Sequence, residues 1–501
     1  MRTLEILLVA SCIALLAVLL IRKEANRIAG VAAGVACGGL LAGQLLIEGY
    51  RWKMIPAYLV AFLLIITALF RRRRARKPLR YTITGVLVLL LTGSVALSMV
   101  LPVFNLPKPS GEFKVGTEAF HFMDTSRDET YTEDKNDKRE LIVQIWYPAA
   151  KSGGSAEEST LFPQDQKLFQ AYMQAYSSYF GLPAPLLDYW KYNRSSSYEG
   201  ADVLPAKSPY PVVLLSHGMG VGRILHTSQA ENLASHGYIV VAVDHTYSTL
   251  ATAFPDGRVT GLLTKPSQDQ LYEDSRSILQ MWNKDISFVV DQLEKINGGI
   301  IASRFKGKLD MNHIGIMGHS FGGAAAFEAV NSDPRIKAGV NMDGTLYESG
   351  DRSPLKKPFM FMESEEFMKV NEDQAKYRKT PITDEELQKL KFTRQQFSTV
   401  LAHRERELKV MDHVMQQEGS AVIYIEGAKH FNFTDLQLYS PLINLTGMTG
   451  SIQGTRGAEV VNRYVLEFFN EHLRGMKSKL LRGPSGDYPE VKYPGNPIFQ
   501  D

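Results

Sequence analysis

The sequence predicts an α/β protein, a mostly parallel sheet with helices on both faces, preceded by four membrane-crossing helices. Three observations predict it. Four long apolar runs fill the first hundred residues. From about residue 140 onward, short β-branched segments alternate with amphipathic ones, as in a parallel sheet whose crossovers are helical. At 312–330 an apolar strand pattern runs through Gly318-His319-Ser320-Phe321-Gly322 into a run of small helix formers.

The apolar runs cover residues 4–21, 28–47, 54–70 and 81–101. As helix, each is about 25–30 Å long, enough to cross a bilayer. A cleaved signal peptide would account for the first run only. Lys and Arg then set an orientation. Arg71, Arg72, Arg73, Arg74, Arg76, Lys77 and Arg80 lie between the third and fourth runs, and Arg22, Lys23 and Arg27 between the first and second. Loops rich in these residues stay in the cytoplasm, so both termini and the rest of the chain are expected outside. The only cysteines, Cys12 and Cys37, fall inside apolar runs. An exported domain without cysteine fits a bacterial cell surface and leaves no disulfide framework or thiolate metal site. A net charge of +3 with 22% charged residues gives no reason to expect a nucleic-acid partner.

We divide the chain into a membrane region at 1–104, a Pro-rich linker at 105–111, a main domain at 112–475 and a Pro- and Gly-rich tail at 476–501, expected to be loosely ordered. In the main domain, strands are expected at 140–148, 211–216, 239–244, 313–317, 338–342, 359–362 and 421–426. Helices are expected at 226–236, 272–297, 321–331 and 458–473, and a polar loop at 124–138. Two segments break the rhythm: 161–198 is dense in aromatics and 363–418 is charged and helix-forming. Both leave the sheet near strand C-termini, where ligands bind in such folds, so they form either a cap over the site or ordinary surface packing.

Strand, G-x-S-x-G, helix is a nucleophile elbow, a turn sharp enough to strain the serine and raise its hydroxyl above the sheet edge. A serine hydroxyl at neutral pH needs an imidazole to take its proton, and the imidazole needs a carboxylate to fix its tautomer. In this arrangement the acid and then the histidine follow the serine. Of His403, His413, His430 and His472, only His430 directly follows a strand, which makes it the candidate base. Asp343 ends a strand before Gly344 and is the candidate acid, with Glu363 at the end of the next strand in reserve. Asp333, before Pro334, reads as a helix-end residue, and Asp351 lies in a Ser/Gly loop. Two backbone N–H groups should hold the oxyanion: Phe321 after the nucleophile, and Met219 where the strand at 211–216 runs into His217-Gly218. His217 reads as shaping that turn rather than transferring protons.

The segments L-I-V-Q-I-W-Y-P at 141–148, S-H-G-M-G at 216–220, V-D-H-T-Y-S-T-L-A-T at 243–252, G-H-S-F-G-G at 318–323, N-M-D-G at 341–344 and K-H-F-N-F-T-D at 429–435 carry a family resemblance. The chain resembles the platelet-activating-factor acetylhydrolases, plasma-type and bacterial, of the α/β-hydrolase fold, over about residues 112–473. The resemblance implies Ser320, Asp343 and His430 as triad, Met219 and Phe321 as oxyanion donors, and no metal or other cofactor. It also implies hydrolysis of short or oxidised acyl chains from phospholipids, a 1-alkyl-2-acetylglycerophosphocholine esterase-like activity that needs no calcium. The four apolar runs and the length of 363–418 are additions to the family's pattern. The expectation is a multi-pass cell-membrane serine esterase acting on lipid or small esters from the extracytoplasmic side. A general carboxylesterase, polyester hydrolase or peptidase on the same scaffold, and a non-catalytic membrane protein with a hydrolase-like ectodomain, are the alternatives.

Overall fold

The structure is a computed structural model that describes residues 1–21, 27–70, 77–104, 106–150, 158–267, 269–347, 355–495 and 498. Arg22, Lys23, Arg71, Arg72, Arg73, Arg74 and Arg76, on which the expected orientation rests, lie outside the described residues, as does Asp351. The chain forms two compact units.

The first unit comprises Met1–Phe104, Leu182–Asn193 and Tyr439–Leu442. Its helices are α1 (Thr3–Ile21), α2 (Arg27–Gly43, continued by a π turn at Gln44–Glu48), α3 (Ile55–Leu69) and α4 (Lys77–Val100). The stretches Thr3–Leu20, Ile28–Glu48, Trp52–Leu69 and Pro78–Val100 are long and apolar enough to cross a membrane. Leu8, Cys12, Leu15, Ala57, Val60, Ala61 and Leu64 pack inward, while Ile6, Ile13, Val35, Phe62 and Leu89 point out. Helices that are apolar all round suit a lipid surrounding. The Sγ atoms of the free cysteines Cys12 and Cys37 lie 3.8 Å apart. The charges sit where helix ends meet: Arg51 donates to Glu5, and the Leu4 N–H donates to Glu48 at 2.8 Å. The two shorter segments bring aromatics to this unit. Trp190 and Phe104 pack on Tyr439 with centroids 4.9 and 4.5 Å apart, and Lys53 Nζ lies 3.5 Å over the Tyr189 ring.

The second unit holds an eleven-stranded sheet. Its members along the chain are β1 (Lys114–Asp128), β2 (Lys138–Ala149), β3 (Glu158–Thr160), β4 (Arg194–Glu199), β5 (Tyr210–Ser216) and β6 (Ile239–Asp244). A separate hairpin, β7 (Thr252–Ala253) with β8 (Val259–Thr260), precedes β9 (Leu309–His319), β10 (Ile336–Met342), β11 (Phe359–Ser364), β12 (Ala421–Ile425) and β13 (Val491–Lys492). The spatial order is β13-β12-β11-β10-β9-β5-β6-β2-β1-β4-β3, and the run from β12 to β6 is parallel throughout. Its strands are buried on both faces, so side chains alternate between two cores: Val212 and Leu214 enter one, Val213 and Leu215 the other.

Helices fill both sides. On one face lie α6 (Thr227–Ser235) and, from the far end of the chain, Gly454–Arg474. On the other lie α7 (Leu271–Gly298), α8 (Phe321–Ser332) and the helix Arg394–Met415. In α7 the buried residues Ile278, Leu279, Trp282, Ile286, Val289, Val290, Leu293 and Ile296 recur every three or four positions, one stripe of a helix. Gly299, at φ 81°, ends it in the left-handed conformation that an L side chain disfavours.

The strand order also places the site. The chain steps from β5 outward to β6, then returns past β5 to β9 and continues away through β10, β11 and β12. The loops after β5 and β9 therefore diverge to opposite faces and open a crevice between them, where ligands bind in open α/β sheets.

Four features differ from the sequence expectation. The polar loop is shorter, because β1 runs to Asp128 and β2 starts at Lys138. The segment 161–198 contains α5 (Gln166–Phe180), capped by Asp165, and its end pairs as β4 between β1 and the edge strand β3. The segment 363–418 forms α9 (Glu366–Lys379), α10 (Asp384–Leu390) and α11 (Arg394–Met415). Leu408, Met411 and Val414 of α11 belong to the sheet's core, so α11 is the crossover helix between β11 and β12. The tail is ordered enough to add β13 antiparallel to β12, by Ile425↔Val491. The final helix, Gly454–Arg474, is α12.

Candidate active site

Ser216, Gly318 and Asn341 lie abreast on β5, β9 and β10. Two residues beyond Gly318 the chain reverses into α8, and Ser320 adopts φ 54°, ψ −123°. That conformation costs a non-glycine residue about 1–3 kcal/mol. The surrounding contacts hold it: the Ser320 N–H donates to Met342 O at 2.8 Å, and the Gly323 N–H donates to Ser320 O at 2.9 Å. The motif glycines are there for space. A Cβ on Gly318 would lie 2.0 Å from Gly322 O, and one on Gly322 would lie 2.2 Å from Ser216 O.

Asp343 and His430 come together beside this turn. Asp343, also at positive φ (56°), is fixed by its N–H to Met362 O at 2.9 Å. Its Oδ1 accepts the Ser364 N–H at 2.8 Å, and its Oδ2 accepts His430 Nδ1–H at 2.6 Å. Burial would raise the Asp343 carboxyl, but the hydrogen bond and charge of His430 and the Ser364 contacts outweigh it and hold the group below the usual range. Glu363, the reserve acid, behaves oppositely. It is buried, and desolvation followed by the charge of Asp343 drives its carboxyl well above the usual range. It is a neutral neighbour to an ionised Asp343.

The remaining candidates fall elsewhere. His403 stacks on Tyr272 with centroids 3.6 Å apart, His413 is exposed in the last turn of α11, and His472 packs on Phe468 in α12. Asp333 ends α8 and pairs with Arg335 at 2.7 Å. Phe321 is the first residue of α8, where a backbone N–H has no acceptor within the helix. Met219 follows Gly218, and a Cβ on Gly218 would lie 3.1 Å from Ser320 Cβ, so the loop after β5 passes directly by the serine.

Two supporting residues escape sequence reasoning. His319, the variable residue of the elbow, donates from Nε2 to His430 O at 3.0 Å. Burial, then the neighbouring His430, lowers its pKa far enough to keep it neutral for that role. Asp435 accepts from the Ser228 N–H at 3.0 Å and from its hydroxyl, tying the segment after His430 to the first turn of α6. Burial raises the Asp435 carboxyl to about 7. The only sequence signal for either was its place inside a motif. Among the described residues, no three His, Cys, Asp or Glu side chains are grouped to hold a metal ion.

A mostly parallel sheet with a strained serine at its switch point defines an α/β-hydrolase, and comparison with known proteins makes it an ester hydrolase. The chain belongs to the platelet-activating factor acetylhydrolase, isoform II, family, whose model matches residues 99–482. It is similar to a protein of Arthroderma benhamiae named as a probable 1-alkyl-2-acetylglycerophosphocholine esterase, with 26% identity over 82% of this chain and 99% of that one. It is also similar to the platelet-activating factor acetylhydrolase of Cavia porcellus, with 24% identity over 74% of this chain and 78% of that one. Among solved structures, a ferulic acid esterase from Streptomyces cinnamoneus matches with a TM-score of 0.58 and 26% identity, covering 78% of this chain and 99% of that one.

Proposed function

We propose that the protein is a membrane-anchored serine esterase that removes short or modified acyl chains from phospholipids through an acyl-enzyme. The carrying observation is the 2.6 Å His430–Asp343 hydrogen bond beside the strained Ser320. In this reading Asp343 holds His430 with Nδ1 protonated, which leaves Nε2 to take the Ser320 proton. The Ser320 oxygen attacks the ester carbonyl, and the N–H groups of Met219 and Phe321 receive the oxyanion. His430 then protonates the departing alcohol, and water attacks the acyl-enzyme by the same route. The substrate class follows the named activity of the fungal and mammalian relatives. A second reading, an esterase for phenolic esters, draws on the ferulic acid esterase. A panel of p-nitrophenyl esters of two to sixteen carbons, with a 2-acetyl phospholipid, a feruloyl ester and peptides, separates them. We expect short acyl esters and the phospholipid to be preferred. Preference for the feruloyl ester or a peptide would overturn the lipid reading.

The mechanism draws its nucleophile and base from side chains. Treatment with EDTA should therefore leave the rate unchanged. Inactivation reversed by a divalent ion would contradict this.

The four apolar helices support a multi-pass membrane anchor, and the lack of cysteine after Cys37 fits a bacterial cell surface. With the basic loops at 22–27 and 71–80 inside, residues from 112 onward lie outside and meet outer-leaflet lipids or esters from the medium. Protease added to intact protoplasts should cleave this domain. Protection until lysis would invert the orientation.

A further inference from the structure

Behind the loop after β5 lies a second chain of serine, histidine and aspartate. Ser216 Oγ is 3.0 Å from His245 Nε2, and His245 Nδ1 is 2.9 Å from Asp285 Oδ2. No substrate reaches it, because Ser216, His245 and Asp285 are at most 1% exposed. It ends instead on the oxyanion loop. The His245 backbone N–H donates to His217 Nε2 at 3.1 Å, which leaves the His217 proton on Nδ1. That Nδ1–H donates to Gly218 O at 2.8 Å.

Gly218 C=O and Met219 N–H belong to one planar trans peptide, so they point in opposite directions. Whatever holds the carbonyl aims the N–H. Gly218 O also accepts the Val221 N–H at 3.0 Å, and the Gly220 N–H donates to Ser248 O at 2.8 Å, so the loop is tied on both sides of Met219. We propose that His217 is a positioning residue for the oxyanion hole: its Nδ1–H grips the Gly218 carbonyl and thereby directs and polarises the Met219 N–H, while the buried His245–Asp285 pair holds His217 in place.

The backing is clamped from several sides. Arg139 clamps Asp285 with Nε at 3.1 Å and Nη2 at 2.7 Å, and Arg127 adds a contact at 2.8 Å. Burial would raise the Asp285 carboxyl, but Arg139 and the hydrogen bond from His245 hold it far below the usual range. The His245 ring stacks on Trp282 at 4.0 Å, and Trp282 Nε1 donates to Ser248 Oγ at 3.1 Å. Burial depresses His245 against the pull of Asp285, and burial together with His245 depresses His217, whose Nε2 accepts the His245 N–H. Donors that polarise one end of a peptide strengthen the donor at the other.

The test uses the full-length chain in detergent and two amide variants. In His217→Asn the side-chain NH₂ can take the place of Nδ1; in His217→Gln the amide sits near Nε2 and the grip on Gly218 is lost. Removing an oxyanion donor outright costs about 10²–10³ in kcat, so misaiming one should lower kcat about 10- to 100-fold in His217→Gln. KM should hold within a few-fold, and binding of a trifluoromethyl ketone, which forms an oxyanion on Ser320, should weaken in parallel. His217→Asn should recover most of kcat although it fills less space. Equal kcat in the two variants would overturn the proposal. If His217→Gln does not fold, His217→Asn alone decides: a kcat loss there comparable to donor removal means the ring only fills space. The inference rests on Ser320 as nucleophile, so the wild type is first labelled with a fluorophosphonate. Absence of label at Ser320 would remove that reading itself, whereas a labelled wild type with equal variants removes only the role of His217.

Discussion

Ser320→Ala lowers kcat/KM for acyl esters on the order of a thousandfold or more while the chain stays folded. The size of the loss follows from removing the covalent route altogether, since alanine carries no oxygen to accept the acyl group. What survives is whatever the oxyanion donors and binding contribute without a nucleophile. Folding should not suffer, because Ser320 is held by backbone hydrogen bonds to Met342 O and from Gly323 N–H, which alanine keeps. The strained backbone remains with either side chain, so thermal melting should move little. Esterase activity near wild type in the purified variant would mean that the elbow is not the nucleophile.

His430→Ala should cost about as much as Ser320→Ala, because the members of a triad act as one unit. His403→Ala and His413→Ala should be mild, since His403 stacks on Tyr272 and His413 faces solvent at the end of α11. The pH dependence has a definite sign. The Asp343 carboxyl is held below its usual range, so it stays ionised as the medium is acidified. A histidine that serves as general base acts only in its neutral form. Activity should fall towards acid and return reversibly on neutralisation. A severe loss at His413 with a mild one at His430, or a rate that rises with acid, would contradict the assignment.

Much of this was legible in the sequence because the parallel strands are short, β-branched and buried, and the elbow marks one of them. The strand at 239–244 was placed to the residue. The edges were harder to read. β4, second from the edge and with the sequence Arg-Ser-Ser-Ser-Tyr-Glu, buries serines rather than apolar side chains, and the edge strand β13 offers only two residues, so neither carries much apolar signal. The segments 182–193 and 439–442, which fold with the N-terminal helices, were invisible as such, because nothing local tells an aromatic which body it will join.

The hydrogen bonds that hold the candidate site were the least legible. His319 to His430 spans 111 residues and His245 to Asp285 spans 40, and both depend on how the strands are ordered. One trace was present. Asp285 interrupts the apolar stripe of α7 three residues after Trp282, and an acid on a core-facing stripe calls for a buried cation. Its cation is Arg139, which in the sequence stands just before the strand expected at 140–148, with no hint of the pairing.

If Ser320 is the nucleophile, an acyl group passes through it, and it can be looked for there. Wild-type protein turning over a p-nitrophenyl ester is quenched in acid, digested, and searched by mass spectrometry for peptides that carry the substrate's acyl group. One acylated peptide is expected, spanning Gly318–Gly323 and modified at Ser320, absent when Ser320→Ala is treated in the same way. An acyl group at another residue, or full turnover with Ser320 unmodified throughout a burst, would contradict it.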